Sequence, residues 1–491
     1  MKFLLDTNEL IPVEPGSLSD VEPGTAVVAE FIRLSNEAKQ QLYIHPVIAK
    51  DLGRDKNDDR RKLRKLLLGK YAELQHPPGL EKVELVLGSC PSESHDWVDH
   101  HLLAAIAGNA ADYLVTEDDK IHRKAERLGI GDRVVRVADT IQIIKNLFDR
   151  APHAPPAVES TFAHALNIAD PIFDSFRCDY PKFDDWLKKC QLQHRQTWTV
   201  RLHPANKLAA VCIVNKEEKP DGKWKSGKTL KICSFKVADE SLGLRLGELL
   251  LKTVFGYAAE NSYDSMFVTA FPKQIRLVEL FNAFGFEALP ELHGAGEMVL
   301  LKHMTYSAAA ATALSALDFH IKYGPFVTRF AEVPAFIVPI QPQYHAMLFP
   351  EAEDQTSFLA GQTAFGNSIR KAYLCHAAIT TVTPGSSLVF YRSQDFKAAT
   401  ALGIAEGTMR SGDSAEIARF VGRRTVYSFD QIKAMCDHRP VLAIQFRQVR
   451  LIRPTIKLDE LNRAKIVKAA PQSIIKVSEE GKKWMQKNRQ M

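Results

Sequence analysis

Short apolar runs alternate with stretches of helical periodicity through the first third of the chain. Lys2 to Leu5 is a strand-like apolar run closed at once by Asp6. Val27 to Leu34 repeats at helical spacing, and "LYIHPVIAKDLGRD" (42–55) predicts a strand followed by a helix that starts at Pro46 and carries Asp51. "RRKLRKLLLGKYAEL" (60–74) predicts a basic amphipathic helix. Leu102, Leu103, Ile106 and Ala107 follow Asp99 at the spacing of one helix face, so Asp99 is expected to head a buried helix. Tyr113 to Thr116 predicts a strand with Asp118 just past its end. Strands alternating with helices imply a parallel sheet, and sites in such sheets form beyond the carboxyl ends of the strands. Asp6 and Asp118 are expected on that edge.

Downstream the pattern changes. "TWTVRLHPANKLAAVCIVNKE" (197–217) predicts a hairpin, "KICSFKVAD" (231–239) a strand, and 240–261 a turn running into a long amphipathic helix. Gly243 and Gly247 bracket that helix start, where exposed amides suit a phosphate. A strand at 265–271 and a helix at 273–284 follow. Further on, 386–394, 398–409 and 440–452 read as strands, and 422–435 as a strand passing into a short helix at Phe429–Met435. The proline-rich 150–161 reads as a linker and the alanine-rich 305–320 as a helical connector. The expected division is 1–148, a linker 149–161, 162–304, a connector 305–334, 335–460, and a basic tail 461–491 that is frayed or forms a peripheral helix.

Three domains suit 491 residues, and 45% hydrophobic with 25% charged residues is the composition of a globular protein. The net charge of +6 permits an anionic partner without requiring one. The seven cysteines form no Cys-x-x-Cys pair, which argues against a zinc ribbon or disulfide framework and suits a reducing cytosol. No apolar run has membrane-spanning length, and the acid at position 6 argues against a signal peptide. The expected location is cytoplasmic, with no membrane partner.

An acid beside an apolar stripe is costly unless it is hydrogen-bonded or holds a cation. Converging carboxylates repel one another, and Mg²⁺ or Mn²⁺ with its preference for oxygen ligands removes that repulsion. "LLDTN" (4–8), the acid after "HPV", "DHHLLAAIAGNAADYLVTED" (99–118) and "KAERLGI" (124–130) together resemble a PIN-domain nuclease over residues 1–148. The resemblance implies Asp6, Asp51, Asp99 and Asp118 as metal ligands and catalytic acids of a Mg²⁺- or Mn²⁺-dependent ribonuclease, with Thr7, Asn8 and Thr116 orienting ligands or phosphate. The family usually has Glu where Asp51 stands, and Asp55 is an alternative. Asp96 and Asp119 read as solvated neighbours, and His100 and His101 as surface or capping residues. The competing reading is a degenerate PIN fold with helix-capping aspartates.

The second block resembles the GNAT acetyltransferase fold. "LGLRLG" (242–247) stands where the family has its Arg/Gln-x-x-Gly-x-Gly/Ala turn, with Leu242 in place of Arg/Gln and Arg245 in place of the first Gly. The resemblance implies acetyl-CoA bound at Val237, Leu242, Gly243, Leu244, Arg245, Leu246 and Gly247. Many members carry a tyrosine general acid where this chain has Phe281, and Asp239, Glu240 and Asp264 are candidate bases. Catalysis, CoA binding alone and a structural relic all stay open.

The third block resembles the ASCH/EVE branch of PUA-like β-barrels, without the Gly-x-Lys-x-x-Glu-x-Arg signature. It implies RNA contacts, for which Tyr391, Arg392, Arg423, Arg424, Tyr427 and Arg447 are candidates, the tyrosines packing inside a barrel being the alternative. The overall expectation is a multidomain α/β protein: a PIN-like parallel α/β/α sheet, a GNAT-like mixed α+β domain and a small PUA-like barrel. Its leading function is a metal-dependent endoribonuclease with an RNA-reading module. The alternatives are an N-acetyltransferase acting on RNA, aminoacyl-tRNA or protein, and a non-catalytic RNA-binding adaptor. By analogy with toxin–antitoxin and defence effectors, RNA such as tRNA, an antitoxin protein and a second copy of the chain are the expected partners.

Overall fold

The computed structural model describes residues 1–6, 25–48, 50, 68–148, 157–202, 206–217, 227–294, 296–307, 312–352 and 364–489. They fall into two compact units. One joins 1–150 to 413–423 and 427–434, and the other comprises 151–412, 424–426 and 435–491.

The first unit is built on a parallel sheet ordered β3-β2-β1-β4-β5, with β1 Lys2–Leu5, β2 Gln41–Ile44, β3 Ala72–Glu73, β4 Tyr113–Val115 and β5 Val134–Val135. Phe3, Leu4 and Leu5 are buried in succession, as a central parallel strand covered on both faces requires. The covering helices are α1 Thr25–Glu37, α2 Glu81–Leu87, α3 His95–Ala107, α4 Asp119–Arg127 and α5 Val137–Phe148. Two expectations change here. The α3 helix starts four residues ahead of Asp99, because the Ser94 side chain caps it by accepting from the Trp97 amide. Ala72–Glu73 is a strand where a basic helix was expected, while 60–67 lie outside the described residues.

Two downstream stretches complete this unit. The helix Ser414–Val421 lays Arg419 against Asp112, with an Nη1–Oδ1 distance of 2.6 Å, and the Arg419 carbonyl accepts from the Tyr113 hydroxyl at 3.4 Å. Asp112 also accepts from the Lys2 amide at 2.7 Å. Phe429 sets its ring 5.4 Å from that of Phe148. The Arg419 contacts gather at the amino ends of β1 and β4, opposite the edge that carries Asp6 and Asp118.

The second unit holds two sheets. The first has the order β11-β12-β10-β9-β8-β7-β6, with β6 Val158–Phe162, β7 Gln196–Leu202, β8 Lys207–Glu217, β9 Thr229–Val237, β10 Ser265–Ala270, β11 Glu287–His293 and β12 Glu297–His303. Only β9 and β10 run parallel; every other ladder of this sheet is antiparallel. Alternation along β8 shows the two faces. Leu208, Val211 and Ile213 join a core with α6 Asp174–Asp179 and α7 Phe183–Leu192. Ala210, Cys212 and Val214 join one with α8 Leu246–Glu260 and α9 Ile275–Ala283.

The second sheet is ordered β14-β17-β16-β15-β13-β18, with β13 Ala335–Ile340, β14 Arg370–Cys375, β15 Ser387–Arg392, β16 Ala398–Ser411, β17 Val441–Lys457 and β18 Ile475–Lys476. The long β16–β17 ribbon shifts register three times, which bends it. Among the described residues no ladder joins β14 to β18, so the expected barrel is an open curved sheet here. The tail is no frayed end: β18 pairs with β13, and Met485 on the helix Glu479–Arg489 is fully buried. No helix among the described residues is long and apolar enough to cross a membrane.

Candidate functional site

The parallel strands β9 and β10 pair only from Thr229/Ser265 to Ile232/Val268. Beyond that, β9 stays with β8 as far as Val237, and β10 stays with β12 as far as Ala270. The two strands therefore open into a wedge at their carboxyl ends. The turn into α8 follows directly, with Gly243 at φ +83° and Arg245 at φ +56°. Arg245 pays the left-handed strain of a position where glycine is at ease.

Its side chain explains why it stays. Arg245 is buried in an ion pair with Glu248 and donates to the Ser368 hydroxyl at 2.7 Å. The second Glu248 oxygen accepts from Ser368 Oγ at 2.8 Å, from the Ile369 amide at 2.8 Å and from the Arg370 amide at 3.3 Å. Asn367 donates to the Leu244 carbonyl at 2.9 Å. The segment 367–370 thus clasps the α8 turn.

Of the residues expected at a cofactor, Leu246 is in the core and a Cβ on Gly247 would meet Leu280 at 2.9 Å, so both serve packing. Val237 packs half-buried at the end of β9. What the turn offers an anion is backbone: the first-turn amides of α8, which have no acceptor within the helix.

Phe281 is fully buried between Phe235 and Phe286, with ring centroids at 5.2 and 4.7 Å. The candidate bases are placed poorly. Asp264 accepts from the Lys228 amide at the closed end of the wedge, and Asp239 and Glu240 pair with Lys236 and Lys207. On the face opposite α8 stands a pair that the sequence did not announce. The Tyr180 hydroxyl donates to Glu297 at 2.5 Å, and its ring lies 5.3 Å from Phe271, the residue after β10. Burial, then the Glu297 carboxylate, pushes the Tyr180 phenol well above its ordinary range. These partners lie 117 residues apart, so no local pattern reveals them.

In the first unit, Asp6 is buried and accepts from Thr116 Oγ1 at 2.7 Å, and the same hydroxyl accepts from the Asp118 amide at 3.0 Å. Asp118 caps α4 by accepting from the Lys120 amide at 2.6 Å. Burial lifts the Asp99 carboxyl above its ordinary range against the pull of Lys124, and the charge of Asp118 adds to the lift. Lys124 bridges Asp99 at 2.7 Å and Asp96 at 2.6 Å. Asp51, Thr7, Asn8 and Asp55 lie outside the described residues. Among those described, no group of three or more His, Cys, Asp or Glu side chains could hold a metal ion. Thr116 links Asp6 to Asp118, and Asp99 feels the charge of Asp118, but among the described residues these three make up no such group. Asp119 is paired with Arg136 at 2.5 Å. His100 is not a surface residue; it is buried with Nδ1 3.4 Å from Cys90 Sγ.

The expected RNA contacts are mostly interior. Tyr391 is fully buried, and Tyr427 is buried. Arg424 and Arg447 are buried around Glu406, and Arg447 also donates to the Ala283 carbonyl. Arg392 forks onto Asp395 at the surface. The Arg423 side chain lies outside the described set. Arg424 and Arg447 are core residues in spite of their charge, because Glu406 neutralises them.

No family model and no curated protein matches the chain. Among solved structures, an ASCH protein from Zymomonas mobilis is similar at 15% identity over 32% of this chain and 95% of its own, with a TM-score of 0.25. A GNAT family acetyltransferase from Elizabethkingia anophelis with acetyl-CoA bound is similar at 15% identity over 30% of this chain and 97% of its own, with a TM-score of 0.23.

Proposed function

We propose that the second unit is an acyl-CoA-dependent N-acyltransferase with a GNAT-like sheet, and that the ASCH-like sheet and the PIN-like first unit serve as binding platforms for a macromolecular substrate such as RNA or protein. The single observation that carries this is the wedge between β9 and β10, which opens beside the turn at Gly243–Arg245. A parallel pair held apart by its outer neighbours leaves a slot for an acylated pantetheine, and the amides of the following helix suit its phosphates. Acetyl-CoA titrated calorimetrically into the full chain tests it. Gly243→Glu puts a carboxylate at the turn and is expected to weaken binding by about tenfold or more. A wild-type chain that binds no acetyl-CoA overturns the reading.

A second reading, a PIN-like metal-dependent ribonuclease, is favoured by one observation: Thr116 links Asp6 to Asp118 while the charge of Asp118 bears on Asp99. Its test is RNA cleavage with and without Mn²⁺ in wild type and Asp99→Asn. Equal cleavage by both excludes it.

A further inference from the structure

The edge strand β6 ends in a short 3-10 turn, Ala163–Ala165, and the helix α7 passes through 193–195 into β7. The two connections lie side by side. The Ala163 amide donates to the Arg195 carbonyl at 2.9 Å, and Gln191 Nε2 donates to the Leu166 carbonyl at 3.0 Å. From β7, Gln196 Nε2 reaches the Thr161 carbonyl at 3.0 Å. Ala163, Leu166 and Cys190 are buried in one core beneath them. Each connection carries one exposed histidine, and the Nδ1 atoms of His164 and His194 are 3.3 Å apart. Backbone pinned on both sides of the pair fixes that separation before any ligand arrives. The Phe162 ring, 46% exposed, stacks along the His164 ring with centroids 5.9 Å apart. His194 also holds φ +47°, a left-handed backbone that a residue with a Cβ adopts only at a cost. A side chain kept in such a position is a reason to ask what it does.

The separation itself selects a ligand. A tetrahedral zinc ion with bonds of about 2.0–2.1 Å to imidazole sets its nitrogens about 3.3–3.4 Å apart. A square-planar ion with bonds of that length would draw adjacent nitrogens to about 2.8–3.0 Å. We propose that His164 and His194 form a binding site for a divalent transition ion of the zinc type. Both imidazoles then present the Nδ1 lone pair to the ion and keep their proton on Nε2, whereas in the metal-free pair one Nδ1 donates its proton to the other. Among the described residues no group of three or more His, Cys, Asp or Glu could hold an ion. Water therefore fills the two remaining positions, and the ion is exchangeable, unlike one in a structural site with four protein ligands. Mg²⁺ does not compete, because it prefers oxygen. The bound ion staples the exit of β6 to the entry of β7. In the sheet order, β7 and β8 stand between β6 and the strands of the wedge, so this site does not depend on the acyltransferase reading.

The test uses the full chain and zinc chloride, with histidine labelling by diethylpyrocarbonate read by mass spectrometry beside a calorimetric titration. An imidazole that binds the ion through Nδ1 and keeps a proton on Nε2 has no lone pair left to react. Zn²⁺ is therefore expected to protect both His164 and His194 from labelling, and Mg²⁺ to protect neither. His194→Gln should restore labelling of His164 in the presence of Zn²⁺, and His164→Gln should do the same for His194. Each change should weaken zinc at this site by at least about tenfold, the least that even a hydrogen-bond partner of a metal ligand is worth. An ion that binds only the folded chain stabilises it, so Zn²⁺ should raise the thermal midpoint of wild type more than that of either variant. Both side chains are exposed, so midpoints without metal should match wild type and confirm that the variants fold. Equal labelling of His164 and His194 with and without Zn²⁺ overturns the site, even where calorimetry shows zinc bound, because the ion then sits elsewhere. Wild-type zinc affinity and an undiminished midpoint shift in both variants overturn it as well.

Discussion

Replacing Glu248 by Ala should destabilise the second unit more than any surface change of similar size. The carboxylate is 8% exposed, pairs with Arg245 through one oxygen and accepts from Ser368, Ile369 and Arg370 through the other. Removing it withdraws a buried partner from the Arg245 guanidinium, a loss of about 3–5 kcal/mol, of which the orphaned donors at 368–370 are a part. Taking about 4 kcal/mol and roughly 2–4 °C per kcal/mol for a large domain, the midpoint of this unit should fall by about 8–16 °C. Hydrogen exchange gives the local reading, because the Ile369 and Arg370 amides lose their acceptor and should lose protection. A double change, Arg245→Met with Glu248→Met, should recover much of the loss, since a buried ion pair is often replaced by apolar side chains without harm. A Glu248→Ala midpoint within about 2 °C of wild type, with protection at 369 and 370 intact, would refute the clasp between 367–370 and the α8 turn.

Two further outcomes are expected. Burial, aided by the charge of Lys252, lowers the Lys371 ammonium from 10.5 to about 7. The unfolded chain then binds more protons than the folded one between those values, so this lysine makes stability rise as pH increases from about 7 toward 10.5. Lys371→Met should flatten that rise in thermal midpoints taken across the range, and parallel curves would count against it. Arg419→Ala should cost the first unit about 3 kcal/mol, because Asp112 would be left largely buried without its cation. Faster amide exchange in Lys2–Leu5 and at Tyr113 would report it, and unchanged exchange would contradict it.

Much of this fold is legible where pattern and burial coincide. The run Lys2–Leu5 and the sequence strand, turn, helix, strand from 229 to 270 carry their own periodicity, and the chain follows it. Ala72–Glu73 was illegible because two exposed residues have no period to read. The tail misled for the opposite reason. Its apolar anchors Val477, Trp484 and Met485 sit at helical spacing but are outnumbered by lysines, one of which, Lys482, is itself buried against the Ala331 and Val333 carbonyls. At the candidate sites, residue type was readable and company was not. Arg447 looks like a nucleic-acid contact until Glu406, 41 residues upstream, appears beside it. Tyr180 gains meaning only from Glu297.

Because 413–423 and 427–434 belong to the same compact unit as 1–150, that unit cannot be finished when its own stretch of chain leaves the ribosome. From residue 150 to residue 434, the last of this unit, the ribosome adds 434 − 150 = 284 residues. At roughly 5–20 residues per second that interval is about 14–57 s. For that time Asp112 lacks Arg419 and Phe148 lacks Phe429, so the amino-terminal unit must wait for its last two stretches to be made. A chaperone that protects nascent chains would find its longest engagement there. A gene split at the proline-rich stretch would yield two halves, one of which carries the missing pieces of the other.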